Sequence, residues 1–221
     1  MSPSKKALAQ KEREQAKART RIAGTALLLV TLFGAGLYLL TRGGASAGKA
    51  GATSYDVGSP GVGEQAPPIS LRSSKGGSFD LAKARSNGPV LLYFQEGLTC
   101  QPCWDQIKAI ENDAAKYHAL KITQIVSITS DPLDQITQKA SDDGLTIPIL
   151  SDPGLKVSKT YNAQEFGMMN GSRDGHTFVL VNPDGSIRWR ADYGGPPRFT
   201  MFVDDATLLA EIRKASTGAG A

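Results

Sequence analysis

Cysteine and histidine are nearly absent from this chain, with two of each in 221 residues. A structural zinc site needs four ligands, and neither a second cysteine pair nor a His-x-x-x-His exists to supply them. Charge of one sign is also scarce once position is considered. The net charge is +4. Residues 1–21 alone hold Lys5, Lys6, Lys11, Arg13, Lys17, Arg19 and Arg21 against Glu12 and Glu14. The remainder is therefore slightly acidic. A nucleic-acid-binding domain would spread Lys and Arg over a folded face, so no nucleic-acid partner is expected. Repeats are absent too. Hydrophobic residues at 40% and charged residues at 21% fit a globular domain with appendages.

Ile22 to Thr41 is an apolar run without a charge, closed by Arg21 and Arg42. Twenty residues at 1.5 Å each span roughly 30 Å, the thickness of a bilayer's hydrocarbon core. The cations upstream predict a cytoplasmic N-terminus and everything downstream outside. The expected organisation is a basic cytoplasmic tail (1–21), a transmembrane anchor (22–41), a Gly/Ala/Ser-rich flexible linker (42–63), one α/β domain (64–215) and a disordered tail (216–221). The expected location is the plasma membrane, single-pass, with the lipid bilayer as one partner. A cleaved signal peptide is the rival reading, because Ala45-Ser46-Ala47 has the small-x-small form of a cleavage site. Either reading places the domain outside the cytoplasm.

Within the domain the pattern alternates strand and helix. Pro89 to Phe94 is a continuous apolar run, which predicts a strand buried on both faces. Gln101 to Tyr117 carries Trp104, Ile107, Ile110, Ala114 and Tyr117 at helical spacing. Ile122–Ile128 reads as a strand. Asp131-Pro132 predicts an N-cap and first helical residue for a helix to Ala140. A short strand at Thr146–Leu150 and a short helix at Lys156–Tyr161 follow. Thr177–Val181 and Ser186–Arg190 flank a turn sequence and predict a hairpin. Asp204–Lys214 predicts a closing helix, acidic at its start and basic at its end. The fold class is α/β, a mixed central sheet covered by helices on both faces. Trp189 to Phe199, rich in Gly and Pro, reads either as a rim of the site or as an ordinary closing loop.

The two cysteines sit three apart, in Thr99-Cys100-Gln101-Pro102-Cys103-Trp104. This is where the buried strand ends and the helix begins. Free N–H groups at a helix N-terminus stabilise a thiolate and lower the first cysteine's pKa below the usual ~8.5. Cys100 is then the attacking thiol and Cys103 the resolving one. Pro102 removes a donor that has no helical partner there. A structural disulfide is the bland alternative, but closing so small a loop takes little entropy from the unfolded chain.

Gly63 to Leu71, Val90 to Phe94, Cys100-Gln101-Pro102-Cys103 and Thr177 to Gly185 together resemble the peroxiredoxin-like branch of the thioredoxin superfamily. That branch is the alkyl-hydroperoxide-reductase and thiol-specific-antioxidant group, with membrane-anchored thiol–disulfide oxidoreductase cousins. The resemblance implies a thioredoxin-like fold. It also implies exchange with extracytoplasmic protein thiols or disulfides, and a membrane or soluble electron donor. Site-lining roles are expected for Thr99, Pro102, Trp104, His176 and Thr177. The peroxidase pattern Pro-x-x-x-Thr-x-x-Cys is missing, since Gly97 and Tyr93 stand at its Thr and Pro positions before Cys100. Peroxidase activity is thus one alternative and disulfide exchange the first expectation. His176 stands where the cousins have a cis-proline, and a trans peptide is expected before it. Another alternative is a copper metallochaperone. It would use Cys100, Cys103 and His176, with Met168 and Met169, because thiolate, thioether and imidazole suit Cu(I). Exchange itself needs no cofactor.

Overall fold

The structure, a computed structural model, describes residues 54–218. The expected cytoplasmic tail, apolar span and most of the linker lie outside the described residues, as does the end of the C-terminal tail. Among the described residues no helix is long and apolar enough to cross a membrane.

Seven strands form one sheet in the order β2-β1-β5-β4-β3-β6-β7. These are β1 (Ser70–Ser73), β2 (Ser78–Asp80), β3 (Val90–Phe94), β4 (Gln124–Thr129), β5 (Ile149–Ser151), β6 (Thr177–Val181) and β7 (Ile187–Asp192). The middle trio β3, β4 and β5 is parallel, and the strands outside it are antiparallel to their neighbours. The helices are α1 (Leu81–Arg85), α2 (Gln101–Asn112), α3 (Ala114–Ala119), α4 (Leu133–Asp142), α5 (Lys156–Thr160) and α6 (Asp205–Gly218), with a 3-10 turn at Ala163–Glu165.

Strand β3 explains why the sheet has two cores. All five of its side chains are buried, and successive side chains on a strand point to opposite faces. Leu91 and Tyr93 join Trp104, Ile107, Tyr117, Ile136 and Ile212 on the face under α2, α3, α4 and α6. Val90, Leu92 and Phe94 join Ile69, Leu81, Val126 and Tyr161 on the other. An apolar strand without alternation is what two-sided burial requires.

Several elements differ from the sequence expectation. The long helix over Gln101–Tyr117 is two helices broken at Asp113, whose conformation leaves the helical region. The helix after Asp131 starts at Leu133, one position later than expected. Asp131 does not cap it. Its carboxylate reaches across to the loop after β3, accepting from the Leu98 N–H at 2.7 Å. Residues 54–63, expected as linker, run against β7 instead. Asp56 bridges Asp192, and the Gly63 N–H donates to the Ile187 carbonyl at 2.8 Å. The hairpin of β1 and β2 was not expected at all, because Ser70–Ser73 and Ser78–Asp80 are short, polar strands without a period-two apolar signal, and of the two only β2 lies at the sheet edge.

Candidate functional site

The cysteine pair sits at the carboxyl end of the parallel strands, where β3 turns into α2. The turn depends on Gly97, whose φ is +91°. A Cβ there would lie 1.7 Å from Asp131 Oδ2, so no other residue fits. The Gly97 carbonyl then accepts from the Cys100 N–H at 3.0 Å and from Trp104 Nε1 at 3.0 Å. Trp104 is therefore fully buried beneath the turn, holding it rather than facing solvent.

Cys100 is the N-cap of α2, and its Sγ accepts from the Cys103 N–H at 3.3 Å. The helix N-terminus thus points at this sulfur. Its partial positive charge favours a negative sulfur whenever the pair is reduced. Cys100 and Cys103 are joined as a disulfide, their Cα atoms 5.3 Å apart. The two sulfurs are not equivalent. Cys100 is 7% exposed, whereas Cys103 is sealed at 0%. A partner's sulfur can reach only Cys100.

Above Cys100 lies a cavity of about 500 Å³ bordered by Glu96, Thr99, Pro102, Arg173 and three methionines, Met168, Met169 and Met201. The exposed residues Thr99 and Pro102 form its near edge. Met201 packs directly on the cysteine pair. Met168 and Met169 project from the loop between the 3-10 turn and β6, and both are exposed. This loop is pinned by Arg173, whose Nη1 donates to Asp131 Oδ1 at 2.7 Å and to the Glu96 carbonyl at 3.1 Å. The Met168 N–H donates to Glu96 Oε1. Burial raises the Glu96 carboxyl above its ordinary pKa, against the opposing effects of the Met168 N–H and of Arg173.

His176 and Thr177 do not border the cavity. His176 is fully buried among the rings of Tyr93, Phe178 and Tyr193. Its Nδ1 is 2.9 Å from the Tyr93 hydroxyl, and Nε2 has no hydrogen-bond partner among the described residues. The Thr177 hydroxyl donates to Asp192 Oδ1 at 2.7 Å and is likewise buried. Both were expected at the site. Thr177 begins a strand hydrogen-bonded between β3 and β7, and His176 just before it is packed under their aromatic rings, so neither side chain faces the opening. The peptide before His176 is trans, as expected.

Desolvation lowers the His176 pKa to about 3, which makes folding stability pH-dependent. In the unfolded chain a histidine takes up a proton near pH 6.5, while the folded chain refuses it. The unfolded state then binds more protons, so stability is full above that pH and is lost as pH falls. At pH 5 this one group should cost about 2 kcal/mol relative to pH 7. Denaturant unfolding at both pH values checks it. The loss should be visibly smaller in His176→Gln, and an identical loss would remove His176 as the cause.

Glu96, Arg173 and Met201 escaped the sequence reading. Glu96 carried a faint signal, as a carboxylate placed directly after an all-apolar strand. Arg173 and Met201 are about 70 and 100 positions from the cysteines and carried none.

The model of the AhpC/TSA family matches residues 62–190, more than half of the chain. The chain belongs to the AhpC/TSA family. Its strand–cysteine–helix junction lies inside the matched region. Among curated proteins, the thiol-disulfide oxidoreductase ResA of Halalkalibacterium halodurans is 28% identical over 127 residues. That match takes in 57% of this AhpC/TSA chain and 65% of the relative, just under two thirds of its length. Among solved structures, peroxidoxin BcpB from Mycobacterium tuberculosis superposes with a TM-score of 0.58 at 20% identity, covering 69% of this chain and 96% of that one. Reduced Plasmodium vivax 2-Cys peroxiredoxin gives 0.60 at 18%, covering 72% and 83%. These likenesses show the thioredoxin-like fold.

Proposed function

We propose that this chain is a membrane-anchored, extracytoplasmic thiol–disulfide oxidoreductase working through Cys100 and Cys103. One observation carries the reading. A disulfide-bonded pair sits at a helix N-terminus with one sulfur open to a cavity and the other sealed behind it. In the reducing direction the Cys100 thiolate attacks a partner disulfide, and one partner thiolate leaves. Cys103 then attacks Cys100 Sγ in the mixed disulfide, the second partner sulfur leaves, and two electrons have passed to the partner. The reverse sequence oxidises a partner dithiol. Peroxide reduction has less support, since Gly97 offers no hydroxyl and Tyr93 is buried.

The test uses reduced full-length chain mixed with excess glutathione disulfide and then alkylated. Mass spectrometry should show two alkylated thiols before mixing and none after. A chain that retains both thiols would overturn the reading. The anchor rests on the apolar run over 22–41. Membrane fractions should retain the chain after a carbonate wash, and protease added outside intact cells should remove the domain.

A second reading, capture of Cu(I) by the reduced pair, is favoured by the three thioethers bordering the cavity. The sulfur set fits that ion, whereas His176 does not, being walled off among aromatic rings and paired with Tyr93. Retention of one Cu(I) per reduced chain against a chelator, lost on replacing Met168, Met169 and Met201 together, would favour this reading over exchange.

A further inference from the structure

We propose that Glu96 is the proton donor to the partner sulfur that leaves when Cys100 attacks. This inference rests on the exchange reading above and deepens it. Exchange displaces a thiolate, and an alkyl thiolate leaves slowly unless its charge is quenched, because rate depends on the leaving thiol's acidity. A donor must therefore stand in the space where that sulfur departs.

The cavity over Cys100 is this space, and among the described residues Glu96 is the one carboxyl bordering it. The side chain is 5% exposed, set between the end of β3 and the methionine loop. Its placement is held tightly. Oε1 accepts from the Met168 N–H, and a Cβ added at Gly167 would lie 2.8 Å from the same oxygen. The groups facing Glu96 are few. Arg173 approaches from the methionine loop, with Asp131, just after β4, neutralising it at 2.7 Å. The Tyr93 hydroxyl of β3 is near and uncharged, its own ionisation pushed up by burial. Cys100, at the N-terminus of α2, borders the same cavity. Arg173 is thus already engaged by Asp131, and burial keeps the protonated carboxyl accessible above the ordinary carboxylate range.

The step balances. The Cys100 thiolate forms the new S–S bond as the partner's S–S bond breaks, and the Glu96 proton goes to the departing sulfur. Cys103 next forms the intramolecular disulfide, and its proton follows the second partner sulfur. Two electrons and two protons leave the site for the partner, and Glu96 is reprotonated from solvent.

The experiment compares two disulfides with the reduced full chain. Glutathione disulfide releases an alkyl thiolate that needs a proton. Dithiobis(nitrobenzoate) releases an aromatic thiolate that is stable without one. Glu96→Gln keeps an oxygen for the Met168 N–H but cannot carry a proton. It should slow the glutathione disulfide reaction roughly tenfold or more, and leave the aromatic disulfide rate within about twofold. The advantage of the unaltered chain should shrink as pH rises and Glu96 loses its proton. Glu96→Asp, which keeps a carboxyl, should recover part of the glutathione disulfide rate. Equal slowing with both disulfides would mean that Glu96 only positions the loop, and no slowing with either would remove it from the reaction; both overturn the proposal. Exchange persisting in Cys100→Ser would instead overturn the exchange reading itself.

Discussion

Cys103→Ser protein should accumulate as a mixed disulfide with its partner, whereas Cys100→Ser protein should form none and lose exchange altogether. The asymmetry follows from burial. Cys100 Sγ borders the cavity and receives the Cys103 N–H, while Cys103 is sealed beneath it. An incoming sulfur bonds to Cys100 whichever way electrons flow. With Cys103 present, its thiol lies within disulfide distance on the first turn of α2 and expels the partner. That intramolecular step outruns any second partner thiol, because a positioned nucleophile acts at an effective concentration far above millimolar. Remove Cys103 and the adduct has no internal exit. Non-reducing electrophoresis of alkylated cell lysate should show a band at the summed mass of chain and partner in Cys103→Ser, released by dithiothreitol. Full turnover in Cys103→Ser would end the two-cysteine mechanism. Substitution of Cys103 is not expected to unfold the domain, since serine is close to isosteric, although losing the buried sulfur will cost some stability.

Arg190→Met should destabilise the domain by about 3–5 kcal/mol, because it leaves Asp192 charged and unpaired in the interior. Both side chains are fully buried. Arg190 Nε donates to Asp192 Oδ2 at 2.8 Å, and Nη2 to Oδ1 at 3.0 Å. The guanidinium also ties distant segments together, donating to the Tyr161 carbonyl at 2.7 Å and the Pro60 carbonyl at 3.1 Å. The Gly58 N–H and the Thr177 hydroxyl complete the shell of Asp192. For a domain of this size that loss corresponds to a fall in Tm of roughly 6–20 °C. The pair need not be worth so much itself. Much of the cost is the orphaned carboxylate, so Arg190→Met with Asp192→Asn should recover a large part of it. Exchange per folded molecule should stay unchanged, since neither residue borders the cavity. A single variant as stable as the double would show that the orphaned charge is not what destabilises it.

Much of this protein could be read from local chemistry. The strand at Val90–Phe94 declared itself as apolar residues without alternation, and the cysteine pair declared itself by spacing at a strand–helix junction. Pro102 and Thr99 were legible for the same reason, being neighbours in the chain and on the cavity edge. Element ends were less legible. Asp131-Pro132 has the form of a cap and first helical residue, yet the carboxylate is used on Leu98 and Arg173 instead. Local preference yields there to a tertiary contact that stabilises the turn before Cys100.

The sequence by itself determined the class of fold and the cysteine pair at the strand–helix junction, because each is carried by residues adjacent along the chain. The tertiary structure alone decided what surrounds those sulfurs. Separation of 73 residues from Cys100 to Arg173 and 101 to Met201 leaves no periodicity to read. Conversely, His176 and Thr177 are brought near in topology but turned inward by their place beside β3 and β7. Which side of a strand faces a cavity is set by register against its neighbours, and register is a property of the assembled sheet.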